Sequence, residues 1–211
     1  MKKRTFVIIG LVMLLLQVNA QKKVSNKVTD NLIVTTLITN VKILDGSGKP
    51  AIMGSVRIKG DVIAEVGNLT TQSNDKMIDG KGLVLAPGFI DAHSHHFGDL
   101  QKKSAGLSTA NQGITTVVIG QDGGSYPMDS LEKDMKEIPV VANVASYTGH
   151  STLREEVMGE NNVLRKATQA EVDKMKVILS SELSKGSLGI STGLEYEQAF
   201  YSSRDEVIQL A

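Results

Sequence analysis

Pro87-Gly88-Phe89-Ile90-Asp91-Ala92-His93-Ser94-His95-His96 is the stretch that decides how this 211-residue chain is read. With Leu83-Val84-Leu85-Ala86 before it, the run to Ile90 is apolar on both faces. That is the mark of a parallel strand covered by helices. Three of the four histidines then fall within four positions. Side chains alternate along a strand, so His93 and His95 point the same way. They stand at the strand's C-terminal end, where parallel α/β folds place their active sites. Two imidazoles about one pleat apart suit Zn²⁺, which favours nitrogen ligands. An isolated His-x-His is more often a pair of solvated or core histidines, because the spacing alone is cheap. Here the strand end and the Pro87–Asp91 lead-in favour the metal.

Downstream the same rhythm repeats. Ile114–Ile119, Pro139–Val144 and Ser187–Ile190 are further apolar runs with strand character. Between the last two, Thr168 and Glu171 predict a capping box. Val172, Met175, Ile178, Leu179 and Leu183 form one helical stripe, and Gly186 ends it. Ser203 with Glu206 predicts a second capping box, opening a helix through Val207, Ile208 and Leu210. Strand and helix in alternation imply right-handed parallel βαβ units. An open doubly wound sheet is weakened by the lack of a glycine-rich phosphate loop after the first strand. The expectation is an α/β chain: residues 85–211 as the first four β/α units of a (β/α)₈ barrel, cut short by the chain end.

Upstream, residues 32–84 read as β structure. Leu32–Leu44 is rich in Val, Ile and Thr and ends at the turn Asp45-Gly46-Ser47-Gly48. Ser55–Lys59 and Val62–Val66, joined by Gly60-Asp61, predict a tight hairpin with one buried face. This small sheet has too little mass to stand alone.

At the N-terminus, Lys2-Lys3-Arg4 precedes the apolar run Phe6–Leu16, and Val18-Asn19-Ala20 resembles a signal-peptidase site. The run falls short of the ~20 residues of a membrane span. Residues 1–20 are thus expected to be a signal peptide cleaved after Ala20, with export to the periplasm and no stable membrane anchor; the alternative is an uncleaved anchor. Residues 21–31 are polar and basic, as a tether would be. Lysine plus arginine and aspartate plus glutamate both total 23, so no net field draws nucleic acid. The absence of cysteine excludes disulfides, thiolate zinc sites and cysteine nucleophiles.

The Pro87–His95 segment resembles the P-G-[FL]-[IV]-D-x-H-x-H signature of the amidohydrolase superfamily. Asn40–Gly46 and the Arg57–Gly67 hairpin resemble its N-terminal strands, part of a small side β-sandwich. Three later segments resemble the N-acyl-D-amino-acid deacylases, or D-aminoacylases: Gly113–Gly123, Gly149–Arg154 with Val157-Met158-Gly159, and Gly189–Tyr196. The resemblance implies hydrolysis of the amide bond of N-acyl-D-amino acids, small-molecule substrates, with one or two Zn²⁺ ions or another divalent metal. It implies His93, His95 and Asp122 as ligands, Asp122 standing where better-known members carry a ligand cysteine. A carboxylate is a good oxygen ligand for Zn²⁺ but harder than a thiolate. Without the resemblance, Asp122 reads equally as a turn aspartate.

His150 ends the third strand region and is expected at the site mouth, binding substrate or orienting a ligand. An ordinary loop histidine is an equal reading. The resemblance also implies a substrate contact for Tyr196, whose other reading is an aromatic packed in a loop, and more weakly for Ser202. Arg154 reads as a solvated arginine or as a partner for a substrate carboxylate. His96, Asp91 and Asp99 read as structural groups. In the family the general base and two further histidine ligands follow later strands, so no catalytic base is assigned and residues 21–211 are expected to be inactive alone. Two rivals stand beside this. A cyclic amidase of the dihydroorotase or hydantoinase kind normally uses a lysine after the fourth strand, and Ser187–Gly193 holds none. A non-catalytic exported binding module would retain an incomplete site.

Overall fold

The computed structural model describes residues 34–100, 106–138 and 140–211. The expected signal peptide and tether, with Leu32, Ile33 and Pro139, lie outside the described residues. The chain divides into two compact units, one ending at Pro87 and the other running Gly88–Ala211.

In the first unit β1 (Thr35–Ile43), β2 (Ile52–Lys59), β3 (Val62–Gly67), β4 (Asp75–Asp79) and β5 (Val84–Leu85) form one five-stranded sheet. Its order is β3-β2-β1-β4, with β5 pairing the end of β1. β2 is antiparallel to both β1 and β3, while β4 and β5 run parallel to β1. Gly60 turns β2 into β3 at φ +63, a left-handed value open to glycine at little cost. Val41, Ile43 and Val56 make the core of one face, with Ile38, Ile58 and Leu85 against it. On the other face Arg57 is fully buried. It donates to Asp75 Oδ1 at 3.0 Å and Oδ2 at 3.1 Å, to Glu65 Oε1 at 2.5 Å and to the Thr70 carbonyl at 2.6 Å. Arg57, and after it Thr35, hold the Asp75 carboxyl well below the usual carboxylate range. The expected hairpin is present, but its buried face belongs to β2 alone. Val62, Ile63 and Val66 are exposed on β3, which lies at the edge of the sheet.

The long apolar run Leu83–Ile90 is not one strand. It divides at Ala86-Pro87-Gly88: β5 joins the first sheet, and β6 (Phe89–Asp91) opens the second unit. A proline removes a ladder donor and a glycine frees the backbone, so the two residues interrupt pairing where hydropathy sees continuity.

The second unit continues with α1 (Phe97–Leu100), α2 (Leu107–Ala110), β7 (Ile114–Ile119), α3 (Met128–Glu137), β8 (Asn143–Ser146) and β9 (Thr148–Gly149). Then come α4 (His150–Met158), α5 (Gln169–Ser184), β10 (Ile190–Ser191), α6 (Glu197–Phe200) and α7 (Arg204–Leu210). β6, β7 and β8 pair in parallel, as do β9 and β10. Leu188 N donates to Ser146 O and Thr148 N to Gly189 O, both at 2.9 Å, so the Leu188–Ser191 segment runs beside the Asn143–Gly149 segment. Two cores support them. Phe97, Val117, Ile119 and Leu131 fill one, and Leu153, Met158, Met175, Leu179 and Leu210 the other.

α5 carries the expected capping box. Thr168 Oγ1 accepts from Glu171 N, and Glu171 returns a bond to Thr168 N at 2.8 Å. Such a cap is worth about 1 kcal/mol. Its buried face differs from the expected stripe at the end: Glu182 is buried and Leu183 exposed. The Glu182 carboxylate accepts from Met128 N at 2.6 Å, closing the N-terminus of α3, where negative charge is favoured. At α7 the capping box is half made. Ser203 Oγ accepts from Glu206 N at 3.1 Å, but the Glu206 side chain turns inward.

Candidate metal centre

β6 ends in a tight turn at the histidines. Asp91 Oδ1 accepts from His93 N at 3.3 Å, and Ser94 N donates to Val118 O at 2.9 Å, continuing the pairing with β7. Ser94 is buried, and its hydroxyl accepts from His96 N at 3.3 Å. The flanking His93 and His95 project into the open, their ring centroids 5.3 Å apart. His96 points elsewhere, its Nε2 lying 3.9 Å from Asp91 Oδ2.

Asp122 arrives from the end of β7, and its loop is held in an unusual shape. Gly120, Asp122 and Gly123 all have left-handed φ, at 80, 60 and 84°. Aspartate tolerates that region better than most residues. Two motif glycines clasp the loop. A Cβ at Gly149 would lie 2.2 Å from Gly123 O, and one at Gly193 would lie 2.2 Å from Asp122 O. Thr152 N donates to Gly123 O at 3.1 Å, Gly149 N to Ser125 Oγ at 2.8 Å, and Ser125 N to Thr152 Oγ1 at 2.9 Å. On the other side Gln121 Nε2 donates to Ala92 O at 2.8 Å, tying the loop to the histidine turn.

The outcome is a cluster of donors. Asp122 Oδ2 lies 3.2 Å from Nε2 of His93 and 3.2 Å from Nε2 of His95, and the three ligand atoms all lie within 4.8 Å of one another. Ligand atoms around a tetrahedral zinc, with bonds of ~2.1 Å, sit roughly 3.4 Å apart. Two imidazoles and a carboxylate at this spacing fit a divalent ion. Beside His95 a cavity of about 340 Å³ opens, lined by Ser94, Phe97, Gln121, Tyr126 and Thr152 among others.

The other expected site residues lie elsewhere. His150, at the start of α4, is fully buried and reaches Glu206 Oε1 from Nε2 at 2.9 Å instead of facing a mouth. Ser202 spends its hydroxyl proton on the Ala199 carbonyl. Tyr196 is half exposed at the N-terminus of α6, its ring packed on Gly193 and so next to the Asp122 loop. Arg154, read as solvated, is fully buried. It donates to Glu206, to the carbonyls of Gln198 at 2.7 Å and Val163 at 2.8 Å, and to that of Arg165 at 2.6 Å. Burial alone would raise the Glu206 carboxyl; hydrogen bonds from His150 and Arg154 outweigh it and hold the group below its ordinary value. Glu206 is the residue that sequence reasoning passed over, because its S-x-x-E spacing had already assigned it to a cap.

Against known proteins, the model of the amidohydrolase family matches residues 76–209. The N-acyl-D-aspartate deacylase of Alcaligenes xylosoxydans xylosoxydans is 34% identical over an alignment covering 82% of this chain and 39% of that protein. The crystal structure of a D-aminoacylase superposes with a TM-score of 0.75 at 30% identity, covering 83% of this chain and 42% of that one. The N-acyl-D-glutamate deacylase from Bordetella bronchiseptica, solved with zinc and a phosphonate inhibitor, gives 0.75 at 28% identity over the same shares. The chain spans about two fifths of the length of these relatives.

Proposed function

The chain belongs to the amidohydrolase family, and from that premise we propose that it forms part of a metal-dependent enzyme hydrolysing the amide bond of N-acyl-D-amino acids. The observation that carries the reading is the meeting of His93, His95 and Asp122 at the C-terminal ends of β6 and β7. The D-amino-acid preference comes from the relatives, an N-acyl-D-aspartate deacylase and a D-aminoacylase, each above 30% identity.

In this reading the three side chains hold one or two zinc ions. Zinc at such a site supplies Lewis acidity, polarising the acyl carbonyl and making water a better nucleophile near neutral pH. The chain's own residues do the positioning. Asp91 and Ser94 set the histidine turn, and the clasped loop fixes where the Asp122 carboxylate stands. Tyr196 is assigned to the substrate, since it is half exposed beside that loop. His150 and Ser202, whose polar atoms are committed to Glu206 and to Ala199, are assigned no substrate contact. Gly88–Ala211 is read as successive units of a (β/α)₈ barrel, and the strands of residues 35–85 as part of a small β-sandwich. Residues 1–20 are read as a signal peptide for periplasmic export.

The test is a pair of assays with N-acetyl-D- and N-acetyl-L-amino acids in the presence of zinc. It is run on this chain and on a chain carrying the additional length of the relatives. Turnover of the D substrates by the longer chain and negligible turnover by this one are expected. An L preference would overturn the substrate class, and robust turnover by residues 21–211 would overturn the half-barrel reading.

A further inference from the structure

Beneath the Asp122 loop lies a buried polar cluster that the proposed chemistry does not use. Glu206 Oε1 accepts from both His150 and Arg154, and all three side chains are essentially without solvent contact. Among the described residues two of its atoms, His150 Nδ1 and Glu206 Oε2, have no hydrogen-bond partner. A buried ion pair is weak evidence for stability, because desolvation offsets much of the attraction, and unpartnered atoms make the balance worse. Arg154 is moreover already held by three backbone carbonyls. What Glu206 adds is alignment: it grips α4 at its first residue and again one turn later, and ties both points to α7.

That first turn is the one that seats Asp122. Gly149 abuts Gly123 O so closely that no Cβ fits, Thr152 N donates to the same oxygen, and Ser151 Oγ would meet a Cβ on Gly123 at 2.6 Å. A shift of the turn by a few tenths of an ångström must therefore be passed to the loop, whose backbone is already left-handed at Asp122. We propose that Glu206 is a positioning residue for Asp122: by gripping His150 and Arg154 it fixes the first turn of α4, and that turn fixes the carboxylate beside His93 and His95. The inference rests on the metal reading above and extends it to a residue that touches no ligand.

The experiment measures zinc affinity by competition with a chromophoric chelator, and the visible spectrum of the cobalt-substituted chain. Glu206→Gln is compared with Gly149→Ala, which pushes the loop directly, and with Leu179→Ala, a core truncation in the same unit. Both test variants should lose about tenfold or more in zinc affinity, the scale of outer-sphere changes at metal sites, and should alter the cobalt bands. Leu179→Ala should lower the melting temperature and leave both readouts at wild type. Should Glu206→Gln not fold, Glu206→Asp, which keeps the charge and shortens the grip on His150 and Arg154, is read in its place. Wild-type zinc affinity in the test variants overturns the proposal, as does an equal loss in Leu179→Ala. A wild-type chain that binds no zinc overturns the metal reading itself, and this inference with it.

Discussion

Asp122 Oδ2 stands 3.2 Å from Nε2 of His93, although 29 positions separate the two residues in the chain. Parallel pairing of β6 with β7, in register at Asp91 and Val117, brings their C-terminal ends side by side. From there each strand needs only a short turn to present its ligand. The candidate centre is thus a consequence of strand order.

Replacing His93 and His95 together by alanine should abolish zinc binding, whereas His96→Ala should retain it. His96 lies beside Asp91, outside the donor cluster. Elemental analysis of protein dialysed against trace zinc decides the matter. Equal zinc in the double variant would remove the histidine pair from the site.

Asp122→Asn keeps a residue that tolerates left-handed φ and removes only the negative charge. Its melting temperature should stay near wild type. Its zinc affinity should fall by more than the roughly 10–100-fold typical of outer-sphere changes, since a ligand is altered outright. Unchanged affinity in isothermal titration would show that the aspartate is a turn residue and no more.

Arg154→Met leaves Glu206 buried without its main charge partner, and should cost about 3–5 kcal/mol in unfolding free energy. Glu206 should also impose a pH dependence. Its folded-state value is depressed, so its contribution is fully present above the ordinary value of 4.5 and is lost as pH falls through the lower folded value. Denaturant melts of the wild type from pH 6 downward should therefore lose stability more steeply than those of Glu206→Gln. Parallel profiles would mean that the carboxylate is not the titrating group.

Export makes its own prediction. Expressed in a Gram-negative host, the protein should be released by osmotic shock with Gln21 as its first residue, following the Lys2-Lys3-Arg4, Phe6–Leu16 and Val18-Asn19-Ala20 pattern. N-terminal sequencing that finds Met1 retained would refute it.

Much of this was legible in one dimension. The period-two and both-face apolar patterns located β1, β2 and β7, and the Thr168–Glu171 spacing located the start of α5, because these are contacts between residues near in sequence. His93 and His95 do come together, but through the turn after β6, which ends at Asp91, and not by the strand alternation that their spacing suggested. Asp122 needed the resemblance, since nothing local separates a ligand carboxylate from a turn carboxylate. Hydropathy failed at Leu83–Ile90, where it cannot register that Pro87-Gly88 breaks the ladder between two sheets.

The sequence by itself determined β1, β2, β7, the cap that opens α5 and the closeness of the two histidines, all set by backbone geometry over a few residues. Tertiary structure alone decided which charges went inside. Arg154, read as solvated or as a partner for a substrate carboxylate, Glu206, read as a cap, and Glu182 are each buried because an acceptor or donor from a distant segment meets them there. A buried charge is tolerable only when paired, and the pairing is a property of two chain segments brought together, which no single segment encodes.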